Sequence, residues 1–128
     1  MVRLLSWTTP EVLARKDELR PLTQSEDSDM SRLLDALERG EDPLLACVVA
    51  LSSEGSLVGW AICEKFATKR RTYTFLSIFI AEAHRCKGIG TAIGKKLLED
   101  VESRYPGTTF DGFPGGSFWL RLTPLETP

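Results

Sequence analysis

YTFLSIFIAEAHRCKGIGTAIGKKLLEDVESRY, residues Tyr73–Tyr105, runs from an unbroken apolar segment through a glycine-rich turn into a charged segment with apolar residues at regular steps. Tyr73–Ile80 predicts a strand, and its near-continuous apolar character predicts cover on both faces. From Ile89 to Tyr105, Ile89, Ala92, Ile93, Leu97 and Val101 recur at helical steps. They predict a helix with that stripe on the sheet and Lys95, Lys96, Glu99 and Glu102 in water. Gly94 costs such a helix about 1 kcal/mol relative to alanine, which close packing would explain. The junction between the two elements reads Arg85, Cys86, Lys87, Gly88, Ile89, Gly90. The first backbone N–H groups of a helix have no internal partner, and with the helix dipole they attract anions. Gly88 and Gly90 remove side chains that would hold a phosphate away, and Arg85 and Lys87 add positive charge. The turn either caps the helix alone or also holds an anion.

Two other phosphate-binding turns between a strand and a helix do not fit. The dinucleotide fingerprint needs a small residue three positions after the second glycine, where this chain has Ile93. A P-loop ends in glycine, lysine and then serine or threonine, whereas Gly94 and Lys95 are followed by Lys96.

Outward from this stretch, Val2–Trp7 predicts a short edge strand. Pro10 suits a first helical turn, and Glu11–Arg20 predicts a helix that Pro21 stops. After the acidic loop TQSEDSD, Ser28 can cap a second helix, Asp29–Arg39, which Gly40 ends. Leu44–Leu51 and Leu57–Phe66 predict neighbouring antiparallel strands joined by the hairpin SSEGS. Beyond Pro106, TTFDGF and SFWLRLTP can each form a strand around the turn PGG.

The spacing Arg85, Gly88, Gly90 between a strand and a helix resembles the pyrophosphate loop of the GNAT superfamily, the acetyl-CoA-dependent N-acyltransferases. SIFIAEAHRCKGIGTAIGKKLLEDV looks like that family's fourth strand, turn and third helix. The likeness extends over most of the chain, through about Asp111. It implies an α+β (α/β) fold: one domain, residues 1–128, built on a mixed, mostly antiparallel central sheet with helices on both faces. A full family member continues with a helix and a closing pair of strands, whereas here there is room for one closing strand.

The resemblance also implies a cofactor, acetyl-CoA, and a reaction, acetyl transfer to a primary amine of a small molecule or protein. The pantetheine arm would pair with exposed backbone of Phe79 and Ile80. The pyrophosphate would rest on the amides of Cys86, Lys87, Gly88, Ile89, Gly90 and Thr91, with Arg85 and Lys87 as charge partners. Many family members carry a glutamate base on the strand before the loop, but Thr72–Ile80 has no carboxylate. Ser77 either holds a water there or bonds the local backbone. His84, the only histidine, is either a packing residue or a proton relay, and Glu82 is either a solvated turn residue or a base. The family's thiolate-protonating tyrosine has no counterpart in Tyr73 or Tyr105. An active transferase, an acyl-CoA-binding relative without turnover and a fold-only interaction protein therefore all stand as expectations.

At 128 residues and 42% hydrophobic, the chain is sized for one core, and a net charge of −2 gives no global pull toward nucleic acid or anionic membrane. Three cysteines without Cys-x-x-Cys spacing argue against a disulfide framework or a metal site and fit a cytoplasmic setting. Cys47 and Cys63 are expected to be buried, while Cys86 is either a passive loop residue or a favoured thiolate. No stretch suits a membrane span. Glu26, Asp27 and Asp29 can attract a cationic amine or simply be solvated. Lys65, Lys69, Arg70 and Arg71 lie about 25 to 30 Å along the strand from the glycine turn, outside any site there. The aromatic segment Ser117–Leu122 suggests a sheet edge that a homodimer would cover.

Overall fold

The computed structural model describes residues 2–23, 25, 28–67, 72–85, 87–104, 109–112 and 118–121. Strands β1 (Arg3–Ser6), β2 (Leu44–Leu51), β3 (Leu57–Ala67), β4 (Thr72–Ile80), β5 (Thr109–Gly112) and β6 (Phe118–Arg121) form one sheet in the order β1-β2-β3-β4-β6-β5. Every pairing is antiparallel. Helices α1 (Thr9–Ala14), α2 (Lys16–Leu19) and α3 (Asp29–Glu38) bring Val12, Leu19, Leu33 and Leu34 against Val49, Trp60 and Ile62 on one face. Helix α4 (Ile89–Arg104) brings Ile89, Ile93, Leu97 and Val101 against Val48, Ala61 and Cys63 on the other. The fold is the expected α+β arrangement with helices on both faces, but the sheet, expected to be mixed, is antiparallel throughout among the described residues, because β6 stands between β4 and β5.

Local chemistry fixes most boundaries. The Ser28 hydroxyl accepts from the Ser31 N–H at 3.2 Å and starts α3. At its other end Gly40 has φ +89°, which lets the Gly40 and Glu41 amides reach the Leu37 and Ala36 carbonyls. The SSEGS turn closes through Ser52 N–H to the Ser56 carbonyl at 2.8 Å, with Gly55 at φ +84°.

The helix expected over Glu11–Arg20 is instead broken. Glu11 Oε1 accepts from the Thr8 backbone N–H at 2.8 Å, so the helix begins earlier, at Thr9. It ends at Arg15, whose guanidinium lies 5.2 Å from the Trp7 ring. Pro21 does not stop a helix but sits inside a 3₁₀ turn, Arg20–Leu22, near its start, where a missing N–H costs nothing. The indole N–H of the fully buried Trp60 donates to the Leu22 carbonyl at 2.8 Å and ties this turn to β3.

Two further expectations change. Ala92 is exposed, so the buried stripe of α4 is narrower than its periodicity suggests. Of the segment expected to be a free edge, Ser117 and Leu122 lie outside the described residues, and Phe118–Arg121 is interior, because β6 lies between β4 and β5 and the outer edge belongs to β5. A ladder needs both its neighbours' hydrogen bonds, and β6 has them, so Phe118–Arg121 offers no backbone edge to a second copy.

Cys47 and Cys63 are buried in clusters on opposite faces of the sheet, and burial pushes both thiols up, which makes them inert apolar fillers. Gly94 is not forced by contact. A Cβ there would meet Ile78 Cδ1 at 3.7 Å, an ordinary packing distance. Gly94→Ala is therefore expected to stabilise the fold by about 0.5–1 kcal/mol through helix propensity, measured by urea denaturation. Loss of stability instead would mean that α4 packs more tightly on β4 than these distances state.

Candidate functional site

The site forms where β4 runs out. Pairing between β4 and β6 covers Tyr73–Leu76 only, whereas pairing with β3 continues to Ile80. Among the described residues no strand covers the other edge of Ser77–Ile80. The phase of the exposed edge follows from two contacts. Ala81 N–H donates to the Val58 carbonyl at 2.8 Å, so the Ile80 carbonyl in the same trans peptide points away from β3. The Phe79 carbonyl faces β3, where it would lie 3.0 Å from a Cβ on Gly59. Its peptide partner, the Ile80 N–H, is thus turned to the open edge. Alternation puts the backbone of Ile78 there with that of Ile80. Phe79, expected to offer its backbone at this edge, is turned into the β3 ladder instead.

Side chains alternate as well. Ile78 and Ile80 pack with the α4 cluster, and Phe79 packs with the α1–α3 cluster. Ser77 is the partner of Ile62, which belongs to the α1–α3 face. Gly59 is the one position where β3 and β4 leave no room for a side chain, since a Cβ there would meet Ile80 Cδ1 at 2.7 Å.

After Ile80 the chain makes a 3₁₀ turn, Glu82–His84, and reaches the glycines. Gly88 has φ +78°, a conformation open to glycine at little cost, and nothing lies within 4 Å of where its Cβ would be. The first intrahelical bond of α4 runs from Ala92 N–H to the Gly88 carbonyl at 3.1 Å. The amides of Ile89, Gly90 and Thr91 therefore precede any intrahelical acceptor. Lys87, Gly88 and Thr91 are exposed, and Gly90 is half-buried beside Ile80. The result is an open cluster of donors at the positive end of a helix of 16 residues. Arg85 folds back on the strand: its Nε donates to the Ile80 carbonyl at 2.8 Å, and its guanidinium lies 5.5 Å from the Phe79 ring. It locks the turn to the end of β4. Cys86 lies outside the described residues.

The sequence matches the model of the Acetyltransferase (GNAT) family over residues 7–110. The chain belongs to the GNAT acetyltransferase family. No curated protein is matched by sequence. Among solved structures, this GNAT domain is similar to the GNAT family N-acetyltransferase YhbS from Escherichia coli, which was solved in complex with CoA. The two are 12% identical with a TM-score of 0.64, over 95% of this chain and 82% of that one. It is similar also to a GNAT family acetyltransferase from Brucella melitensis in complex with acetyl-CoA, at 14% identity and TM-score 0.60, over 100% of this chain and 92% of that one. A ribosomal-protein-alanine N-acetyltransferase from Brucella melitensis biovar Abortus 2308 aligns at 20% identity and TM-score 0.57, over 81% and 75% of the respective chains. At these identities the likeness is one of fold.

The candidate proton-transfer residues are not brought together. Ser77 is half-buried on the α1–α3 face of this GNAT sheet, Glu82 is exposed on the 3₁₀ turn, and His84 is half-buried at the end of that turn. Sequence reasoning passes over Glu64. It lies on β3 two positions beyond Ile62 and four beyond Trp60, and is half-buried on their face. Burial, reinforced by the Asp29 carboxylate and opposed by Arg32, pushes its carboxyl up to about 7. The signal is present in LVGWAICEKF, where a lone carboxylate falls at the inward parity of an apolar strand.

Of the acidic loop, Glu26 and Asp27 lie outside the described residues, and Asp29 stands at the start of α3, 4.0 Å from Arg32. Of the basic cluster, Lys69, Arg70 and Arg71 lie outside them as well. A cavity of about 200 Å³ between β1, β2 and the end of α4 touches Ser6, Cys47, Asp100 and Arg104, remote from the glycine turn. Its polar groups are engaged within the fold, Ser6 Oγ with Asp100 and Arg104 with the Leu45 carbonyl at 2.6 Å. Among the described residues no helix is long and apolar enough to cross a membrane, and no cluster of metal-ligating side chains occurs.

Proposed function

We propose that this protein is an acetyl-CoA-dependent N-acetyltransferase that acts on a primary amine of a small molecule or protein. The observation that carries the proposal is the union of an unpaired strand edge at Ile78–Ile80 with the open amides of α4 beyond Gly88. The residues fit an extended, amide-bearing chain that ends in a pyrophosphate. The Ile80 N–H would pair with a pantetheine amide in the manner of an added strand. The amides of Gly88, Ile89, Gly90 and Thr91 would receive the pyrophosphate, and Arg85 and Lys87 would balance its charge. Acetyl-CoA supplies an activated thioester as acyl donor. The chain itself would hold that thioester beside the open edge of β4 beyond Leu76 and would admit an amine from the α1–α3 face.

Binding without turnover is the second reading, favoured by the separation of Ser77, Glu82 and His84 and by the exposure of Glu82. Calorimetric titration separates a CoA protein from one that kept only the fold. The expected result is micromolar binding of acetyl-CoA and binding of pantetheine weaker by about 100-fold or more, because pantetheine lacks the groups for the charge-assisted bonds. Absence of both heat and thermal shift with acetyl-CoA would overturn the proposal.

A further inference from the structure

Glu64 stands where β4 loses its second neighbour. Across the sheet the register runs Leu44, Glu64, Phe75, Trp119 over β2, β3, β4 and β6. The β4–β6 ladder ends one residue further on, at Leu76 and Phe118. Glu64 shares its face with Ile62, the partner of Ser77. Diagonal same-face positions such as Glu64 and Ser77 lie about 7–8 Å apart, a span that a glutamate side chain and one water cover. The start of α3 borders this face, with Asp29 disfavouring and Arg32 favouring the ionised carboxylate. At the level of Glu64, β2 and β4 contribute Leu44 and Phe75, neither of them charged.

We propose that Glu64, on β3, receives the proton of the acceptor's ammonium group, directly or across a water shared with Ser77. The inference rests on the transferase function proposed above. One N–H bond of the ammonium breaks, leaving its electron pair on nitrogen and its proton on Glu64. That pair forms the N–C bond while the C–S bond breaks onto sulfur. A second nitrogen proton goes to the sulfur, the third stays in the amide, and Glu64 releases its proton to solvent. The surroundings suit a general base, since a carboxyl that titrates near neutral pH is a better proton acceptor than one at the ordinary 4.5.

The test compares the intact chain with Glu64→Gln and Glu64→Asp. Acetyl-CoA binding is measured by calorimetry, and thioester loss is followed from about pH 6 to 9 with spermidine, kanamycin and a lysine-containing peptide as probe amines. Gln is expected to lower kcat/KM about 100-fold or more with the best probe and to abolish the acidic limb near pH 7, with acetyl-CoA affinity within about twofold of the parent. Asp is expected to restore part of the rate. A second readout needs no activity. The folded carboxyl holds its proton to about pH 7 and the unfolded one to about 4.5, so stability falls as pH rises through that window. The melting temperature of the Gln variant should therefore exceed the parent's by roughly 10 °C at about pH 8 and come close to it at about pH 4.5. Unchanged kcat/KM and acidic limb in the Gln variant, or equal melting temperatures at both pH values, would overturn the role of Glu64. Acetyl-CoA binding with no turnover of any probe amine would overturn it too. Failure of the parent to bind acetyl-CoA would instead overturn the transferase proposal itself.

Discussion

Acetyl-CoA binding is expected to weaken by at least about 100-fold in Gly88→Asp, with the fold retained. The carbonyl of Gly88 accepts the first intrahelical bond of α4, and the space beside its α-carbon is empty. A carboxylate there would point into the volume assigned to the pyrophosphate and would itself accept from the first-turn amides. Repulsion at that range in a partly screened site is worth about 3 kcal/mol, or two orders of magnitude in affinity. The backbone cost of φ +78° is partly offset by helix capping, and it is lower for aspartate than for a branched residue, so the melting temperature should shift by only a few degrees. Calorimetry on parent and variant checks this, with Lys95→Gln on the exposed side of α4 as a charge-matched control. Affinity within about threefold of the parent in Gly88→Asp would place the anion elsewhere.

Trp60→Ala is expected to cost about 3–5 kcal/mol, a large share of the stability of a single domain. Trp60 is the largest fully buried side chain among the described residues, and its neighbours Val12, Leu19, Leu33 and Leu34 come from all three helices on that face. Truncation opens a cavity among them and leaves the Leu22 carbonyl without its indole donor. Trp60→Phe keeps most of the volume and loses the donor, so it should cost about 1–3 kcal/mol. Urea denaturation of the two variants separates the packing and hydrogen-bond contributions. A Phe variant as unstable as the Ala variant would mean that the Leu22 contact, not cavity formation, dominates.

The glycine turn is legible from sequence because two glycines at fixed offsets fall where an apolar run becomes a helical one, and Gly88 has a local reason to be there in its φ of +78°. Ser28 and Gly40 are legible as caps for the same reason: side-chain and backbone chemistry within a few residues decides them. The break at Arg15, where φ is −121° and ψ is 26°, is not, since neither glycine nor proline marks it in the sequence. Nor is the order β4-β6-β5. TTFDGF and SFWLRLTP read as strands, but which of them pairs with β4 is settled by contacts made across the sheet rather than along the chain. The family resemblance names Phe79 together with Ile80 at the open edge, but neither resemblance nor periodicity gives the phase of the strand's backbone. That phase comes from the Ala81 and Phe79 backbone contacts to β3. Glu64 is less conspicuous because it lies on β3 and not on the strand that runs into the glycine turn, although counting in twos from Trp60 places it inward.

In β4, even-numbered Ile78 and Ile80 serve the helix and the open edge, while odd-numbered Ser77 and Phe79 serve the opposite face. Parity therefore separates two kinds of evolutionary change. Under the proposed function, substitutions at odd positions would alter the acceptor side of the strand, while the backbone groups of the open edge stay the same whatever side chains they carry. The same arrangement makes insertions costly, since a slip of one residue would exchange the two sets of side chains between the faces of the sheet.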